Sequence, residues 1–121
     1  FAADTDPTGR IARPVLTVHA RQDPVAFVEL SGQFGRTMAR AGHAANLVQV
    51  YTDHSEHSYL ADPVYPALLE ALQGWVARGD KPQPARVAAR CEALRERFPG
   101  ECRMLVGWAP PALEERVPAR H

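Results

Sequence analysis

Two short segments of the chain are rich in β-branched residues and are bounded by turn-forming residues. They span residues 15–19 and residues 47–51. This composition predicts two β-strands. In the first segment, the adjacent apolar residues Val15 and Leu16 break the strict alternation of a half-exposed strand. We therefore expect a strand that is covered on both faces, as in a parallel sheet.

Three other segments carry apolar residues at intervals of three and four, which is the helical period. The first lies between the strands and should end near Gly42. The second should begin with Asp62 as N-cap and Pro63 at the first helical position, and should end at Gly79. The third should end before Pro99. The apolar positions are Phe27, Leu30, Phe34 and Met38; then Tyr65, Leu68, Leu69, Leu72, Trp75 and Val76; then Val87, Cys91, Leu94 and Phe98.

The first four elements follow the order strand, helix, strand, helix, and a helical connection of this length joins parallel strands. Two parallel strands are too few for a stable sheet on their own. We therefore expect an α/β chain that belongs to a larger sheet. The third helix and the proline-rich residues 103–121, which should lie extended over the body, form a C-terminal extension.

Charge and composition exclude several classes of partner. The 121 residues include 14 Lys plus Arg and 14 Asp plus Glu, so the formal net charge is zero, and the positive charges form no run. Neither a nucleic-acid partner nor binding to an anionic membrane surface is expected. No window approaches the roughly 18 apolar residues of a transmembrane helix.

Because the sequence begins at Phe1, we expect that processing, proteolysis or the choice of fragment removed a preceding segment.

The two cysteines, Cys91 and Cys102, stand eleven positions apart. They form no CxxC motif and have no histidine beside them, which is poor spacing for zinc. The favoured interpretation is a disulfide that closes a short loop, and it would indicate a secreted or periplasmic protein. The alternative is two free thiols, one on the third helix and one in a turn.

Two polar loops, residues 19–24 and residues 52–58, leave the predicted strands at their carboxyl ends. Parallel strands bring both loops to one edge, where α/β sheets collect active groups. Asp23 in the first loop and His57 in the second, 34 residues later, can therefore meet. A carboxylate and an imidazole in contact are the acid and the base of a nucleophilic triad. The scattered glycines give no phosphate loop or dinucleotide fingerprint, so no cofactor is expected.

The run of residues 14–19, continuing to Asp23-Pro24-Val25 and then to His57-Ser58-Tyr59, resembles the closing third of an α/β-hydrolase over roughly residues 10–80. The resemblance implies the C-terminal βαβα part of a doubly wound, mostly parallel sheet. Residues 1–80 would belong to the hydrolase domain, and residues 81–121 would be the helical, proline-rich C-terminal extension packed on it.

The same resemblance implies roles for individual residues. In this family the late strands supply the triad acid and, one crossover later, the histidine, which matches Asp23 and His57. Glu56 stands where the family usually has a small residue. His19, at the end of the first strand, is expected to be a structural group hydrogen-bonded to nearby backbone.

The nucleophile of such a triad is missing from this sequence. No Gly-x-Ser-x-Gly occurs, and Ser31, Ser55 and Ser58 do not lie at a predicted strand-to-helix elbow. The resemblance therefore implies that the serine and the oxyanion hole lie on a segment N-terminal to Phe1, which is the expected partner. The implied function is that of a serine-hydrolase fragment acting on a carboxylic ester or a related bond of a small acyl substrate.

Three alternatives remain open. Asp53 is a competing acid, although it is close in sequence to His57. His54 and His57 form a His-x-x-His that could hold a metal, with Glu56 or Asp53 nearby, but no metal is favoured in a predicted loop. Finally, the chain could be a non-catalytic α/β-hydrolase-like module that binds a protein through its loop face or through residues 103–121.

Overall fold

The computed structural model describes residues 7–116 and contains two strands and four α-helices. Residues 1–6, at the start of the predicted hydrolase domain, and residues 117–121, at the end of the predicted extended tail, lie outside the described residues. A 3-10 turn, Ala44–Asn46, precedes the second strand. The elements are β1 (Val15–Ala20), α1 (Val28–Arg40), β2 (Leu47–Thr52), α2 (Val64–Arg78), α3 (Pro84–Leu94) and α4 (Leu113–Arg116).

The two strands pair in parallel, with Val15 opposite Leu47 and Ala20 opposite Thr52. Their carboxyl ends therefore lie at the same edge, as predicted. Side chains of a strand alternate between its faces. Val48 and Val50 face a core shared with α2 and α3, whereas Gln49, on the other face, donates a hydrogen bond to the Ser31 carbonyl of α1 at 2.7 Å. The sheet is thus covered on both faces.

The prediction of a doubly wound, mostly parallel sheet is wrong. The described chain is a small α/β protein with only a two-stranded parallel sheet and four helices. Apolar strands predict cover on both faces, but they do not fix the number of strands. Here the helices supply that cover, because Val87, Cys91 and Leu94 of α3 join the core of β2 and α2. The predicted domain boundary at residue 80 stays a prediction.

The ends of the helices follow their capping residues in part. Gly79 adopts the left-handed conformation with φ of 78° and ends α2 as predicted, because glycine has no Cβ to clash there. At its start, Pro63 rather than Asp62 is the N-cap, and the helix has no side-chain cap. The third helix ends at Leu94, so Phe98 lies in the turn that follows it.

The predicted apolar face of α1 is only partly buried. Met38 is fully buried, but Phe27 is the N-cap residue and is 40% exposed, and Leu30 is 48% exposed. The buried residues of the first turn are instead Val28 and Glu29. The Glu29 carboxylate accepts a hydrogen bond from Arg116 Nε at 2.8 Å. Although burial favours the neutral acid, this bond from Arg116 holds the pKa of Glu29 below its ordinary value.

The C-terminal segment lies against β2 and α1. Met104 forms an antiparallel bridge with Thr52, and the Leu105 amide donates to the Tyr51 carbonyl at 2.9 Å. Further on, Pro110 passes so close to α1 that a Cβ at Gly32 would lie 3.0 Å from its Cγ. The prediction of an extended path over the body is therefore right for this stretch and wrong for α4, which is helical.

A disulfide joins Cys91 of α3 to Cys102 at the start of this segment, and both residues are almost fully buried. The alternative of two free thiols is wrong. The bond ties α3 to the stretch that pairs with β2.

Between residues 7 and 116, no helix has the length and hydropathy to cross a membrane.

Replacing both Cys91 and Cys102 by Ala should lower the free energy of unfolding by about 2 to 3 kcal/mol, because the loop entropy of the unfolded chain increases. Urea unfolding of the 121-residue chain measures the change. As a control, reductant should add the mass of two hydrogen atoms to the native protein and none to the double variant. An unfolding midpoint that does not move would contradict a stabilising role of the bond.

Candidate active site

Asp23 lies in the loop between β1 and α1, and its side chain is only 3% exposed. Its Oδ1 accepts hydrogen bonds from the backbone amides of Val25 and Ala26, both at 2.8 Å. An aspartate that binds the amides two and three residues ahead makes a tight turn. Asp23, three residues beyond the end of β1, thus has its carboxylate fixed at the edge of the sheet.

His57 lies in the loop after β2, and its ring meets that carboxylate. Nδ1 is 2.8 Å from Asp23 Oδ2 and 3.0 Å from Oδ1. An ionised carboxylate only accepts hydrogen bonds, so Nδ1 carries a proton, and in the neutral ring Nε2 carries the lone pair. Nε2 has no hydrogen-bond partner among residues 7–116, and the side chain is 44% exposed. The ring is therefore oriented on one side and available to a reactant on the other.

The pKa of Asp23 is lowered from 3.8 to about 2. Burial acts in the opposite direction, since it penalises the charged form. The amide of Ala26, the ring of His57 and the amide of Val25 together outweigh burial by hydrogen bonding to the ionised carboxylate. The acid is therefore ionised at neutral pH, as the orienting member of a triad must be.

Tyr65 of α2 holds the His57 loop in place. Its hydroxyl donates to the Ser58 carbonyl at 3.2 Å and accepts from the Leu60 amide at 3.0 Å. The sequence placed Tyr65 only in an apolar helical face. The sequence signal for this hydrogen-bonding role is only that Tyr65 carries a hydroxyl and stands at the start of that face, close to the polar loop.

The structure also places the competing residues. Asp53 bonds Arg21, with Oδ1 2.6 Å from Nη2, and not His57. His54 is buried and its Nε2 is 3.1 Å from the Glu101 carbonyl. Asp53 and His54 thus hold partners other than His57. Among residues 7–116, no group of three or more His, Cys, Asp or Glu is arranged to hold a metal ion.

His19 binds nearby backbone, as predicted, through Nε2 at 3.0 Å from the Ala26 carbonyl oxygen. It also binds a side chain that the sequence did not single out for this purpose, since Nδ1 is 2.6 Å from Ser31 Oγ. A cavity of about 250 Å³ opens beside the pair, and Ser58 lies in its wall. In the described part of the chain, no hydroxyl or thiol is hydrogen-bonded to His57.

The stability that Asp23 contributes should depend on pH. Because its folded pKa of about 2 lies below the ordinary 3.8, the contribution is fully present above 3.8 and is lost as pH falls through 2. Urea unfolding from about pH 5 to about pH 2 should show native stability falling toward that of Asp23→Asn, by up to about 2 kcal/mol.

Asp53→Asn is the matched control, because its carboxylate forms a surface ion pair that contributes little to stability. If the difference between the native chain and Asp23→Asn stayed constant across this pH range, ionisation of Asp23 would not stabilise the fold.

Comparison with known proteins gives this arrangement no relative. No protein-family model, curated protein or solved structure matches the chain.

Proposed function

We propose that this chain supplies the acid and the base of a serine-hydrolase active site that cleaves carboxylic esters or related acyl bonds. The observation that carries the proposal is the contact of the buried Asp23 carboxylate with Nδ1 of His57, at 2.8 Å. It leaves Nε2 to accept a proton. The order of the two residues, acid first and histidine one crossover later, is that of the α/β-hydrolases that residues 10–80 resemble.

In the proposed mechanism, Nε2 of His57 takes the proton of a serine hydroxyl as its oxygen attacks the acyl carbonyl carbon. The imidazolium then gives that proton to the leaving alcohol as the acyl-oxygen bond breaks. Water then attacks the acyl carbon of the acyl-enzyme while Nε2 takes its proton. Nε2 returns that proton to the serine oxygen as the acyl-oxygen bond breaks, and the carboxylic acid is released. Asp23 keeps the ring in the required tautomer and stabilises the imidazolium without itself becoming protonated.

The nucleophile is proposed to come from a segment other than the described residues. Ser31 lies on α1 and is engaged by His19 at 2.6 Å. Ser58 directly follows His57, and among residues 7–116 no hydrogen bond joins its hydroxyl to the His57 ring. Ser55 is two residues before His57. Ser55 and Ser58 both lie in the long loop of residues 53–63 between β2 and α2, and not on a sharp strand-to-helix turn like a nucleophile elbow. A segment that approaches Nε2 of His57 would complete the site.

The disulfide supports a proposal about the compartment in which the protein acts. Cys91 and Cys102 are joined within the core, and such bonds persist in oxidising compartments. We therefore propose a secreted or periplasmic enzyme that acts on a small acyl substrate.

One observation favours the alternative of a protein-binding module. Val25, Phe27 and Leu30, close in sequence to Asp23, are 69%, 40% and 48% exposed. The C-terminal segment is less suited to this role, because its Trp108 packs edge-on against Tyr51, with ring centroids 5.1 Å apart.

Asp23→Asn and His57→Ala should each lower the turnover of a nitrophenyl acyl ester by about 10⁴-fold in the full protein that contains this chain. The first removes the charge that selects the tautomer, and the second removes the base. Asp53→Asn is the matched control, since this carboxylate bonds Arg21, and it should change turnover by no more than a few-fold.

A fluorophosphonate probe separates the two functions. Labelling of one serine in the full protein, lost in His57→Ala, supports the hydrolase. Unchanged ester turnover in both variants would remove the proposal, and a protein that the probe never labels would favour the binding module.

A further inference from the structure

A second imidazole lies against the Asp23 carboxylate. Nε2 of His19 is 3.4 Å from Asp23 Oδ2, the same oxygen that contacts His57 Nδ1 at 2.8 Å. The His19 side chain is 15% exposed, against 44% for His57. The carboxylate therefore lies between one ring that is largely enclosed and one that faces outward.

The partners of His19 fix its tautomer. The Ala26 carbonyl, 3.0 Å from Nε2, can only accept, so Nε2 carries a proton. In the neutral ring, Nδ1 must then accept a hydrogen bond. Ser31 Oγ, 2.6 Å away, is the donor. The Ala26 carbonyl thus sets the tautomer, and Ser31 supplies the hydrogen bond that the Nδ1 lone pair needs and holds the ring in this orientation.

This arrangement holds the acid turn from two sides. The Ala26 amide donates to Asp23 Oδ1 at 2.8 Å, while the Ala26 carbonyl accepts from His19. His19 belongs to β1 and Ser31 to α1, so the contacts connect the strand, the turn and the helix around one carboxylate.

We propose that His19 and Ser31 are positioning residues for Asp23, and that they set the direction in which its carboxylate meets His57. Ser31 orients His19, His19 holds the turn and flanks Oδ2, and the carboxylate is left with one orientation toward Nδ1 of His57. The consequence for catalysis rests on the proposed function. The consequence for the tautomer of His57 does not.

The chemistry of position 31 explains why an apolar residue would not serve there. Without the hydroxyl, the Nδ1 lone pair of the largely buried His19 would lose its hydrogen bond, which is costly away from water. The Ala26 carbonyl and Asp23 Oδ2 both accept, so the proton would stay on Nε2 and the ring would lose its attachment to α1. Without that attachment the ring is free to turn, and its hold on the Ala26 carbonyl and on the acid turn weakens.

Four variants test the proposal: Ser31→Ala, Ser31→Thr, His19→Ala and His19→Gln. The first measurement is the ¹⁵N spectrum of the histidine rings in the 121-residue chain, near neutral pH, without any substrate. In the native chain, neutral His57 should carry its proton on Nδ1. In Ser31→Ala and His19→Ala a larger fraction should carry it on Nε2, whereas Ser31→Thr, which keeps the hydroxyl, should match the native spectrum.

The second measurement is ester turnover in the full protein. Ser31→Ala and His19→Ala should lower kcat by about 10- to 100-fold with little change in KM, since a misplaced acid costs rate and not binding. His19→Gln keeps an N–H that can reach the Ala26 carbonyl and should fall between His19→Ala and the native enzyme. Ser55→Ala is the matched control, because Ser55 is exposed and its hydroxyl forms no hydrogen bond within residues 7–116.

The outcomes separate the two proposals. If Ser31→Ala shifts the His57 tautomer while His57→Ala keeps full turnover, the positioning role is supported and the hydrolase function is contradicted. Equal His57 spectra in Ser31→Ala, Ser31→Thr and the native chain would overturn the positioning role, whatever the turnover shows. If His19→Ala does not fold, the two Ser31 variants still decide the question.

Discussion

A buried carboxylate at the end of a strand is the constraint on which this structure depends. Asp23 is ionised and almost fully enclosed, and a buried charge is unfavourable unless hydrogen bonds compensate for it. The compensation comes from the amides of Val25 and Ala26 and from His57. These groups belong to the turn before α1 and to the loop after β2, so satisfying one charge requires the parallel register that brings both together.

The C-terminal segment performs a task that a further strand would perform in a wider sheet. The Leu105 amide donates to the Tyr51 carbonyl, and the Arg103 carbonyl accepts from the Asp53 amide, at the end of β2. The Glu101 carbonyl accepts from His54 at the start of the His57 loop. The disulfide at Cys102 anchors this segment to α3. A two-stranded sheet can therefore present an ordered histidine loop, because its partners come from the extension and from Tyr65.

The site is asymmetric in a way that fits acid–base chemistry. His57 is fixed through Nδ1 and exposed at Nε2, whereas His19 has partners on both ring nitrogens. Two histidines beside the same carboxylate thus have different capacities: one can exchange a proton with a reactant, and the other can only hold its neighbours. The environment of each ring, and not its residue type, creates this difference.

Local patterns in the sequence determined the strands, the parallel crossover, the Gly79 helix end and the meeting of Asp23 with His57, because each depends on short-range periodicity or on topology. They did not determine the number of strands, the helical α4 or the roles of Ser31 and Tyr65. Those depend on which surfaces pack together: α3 and residues 101–105 cover β2, and a hydroxyl one turn into α1 reaches the ring of His19. Contacts between residues distant in sequence produce no periodic pattern of apolar residues, so only the tertiary structure decides them.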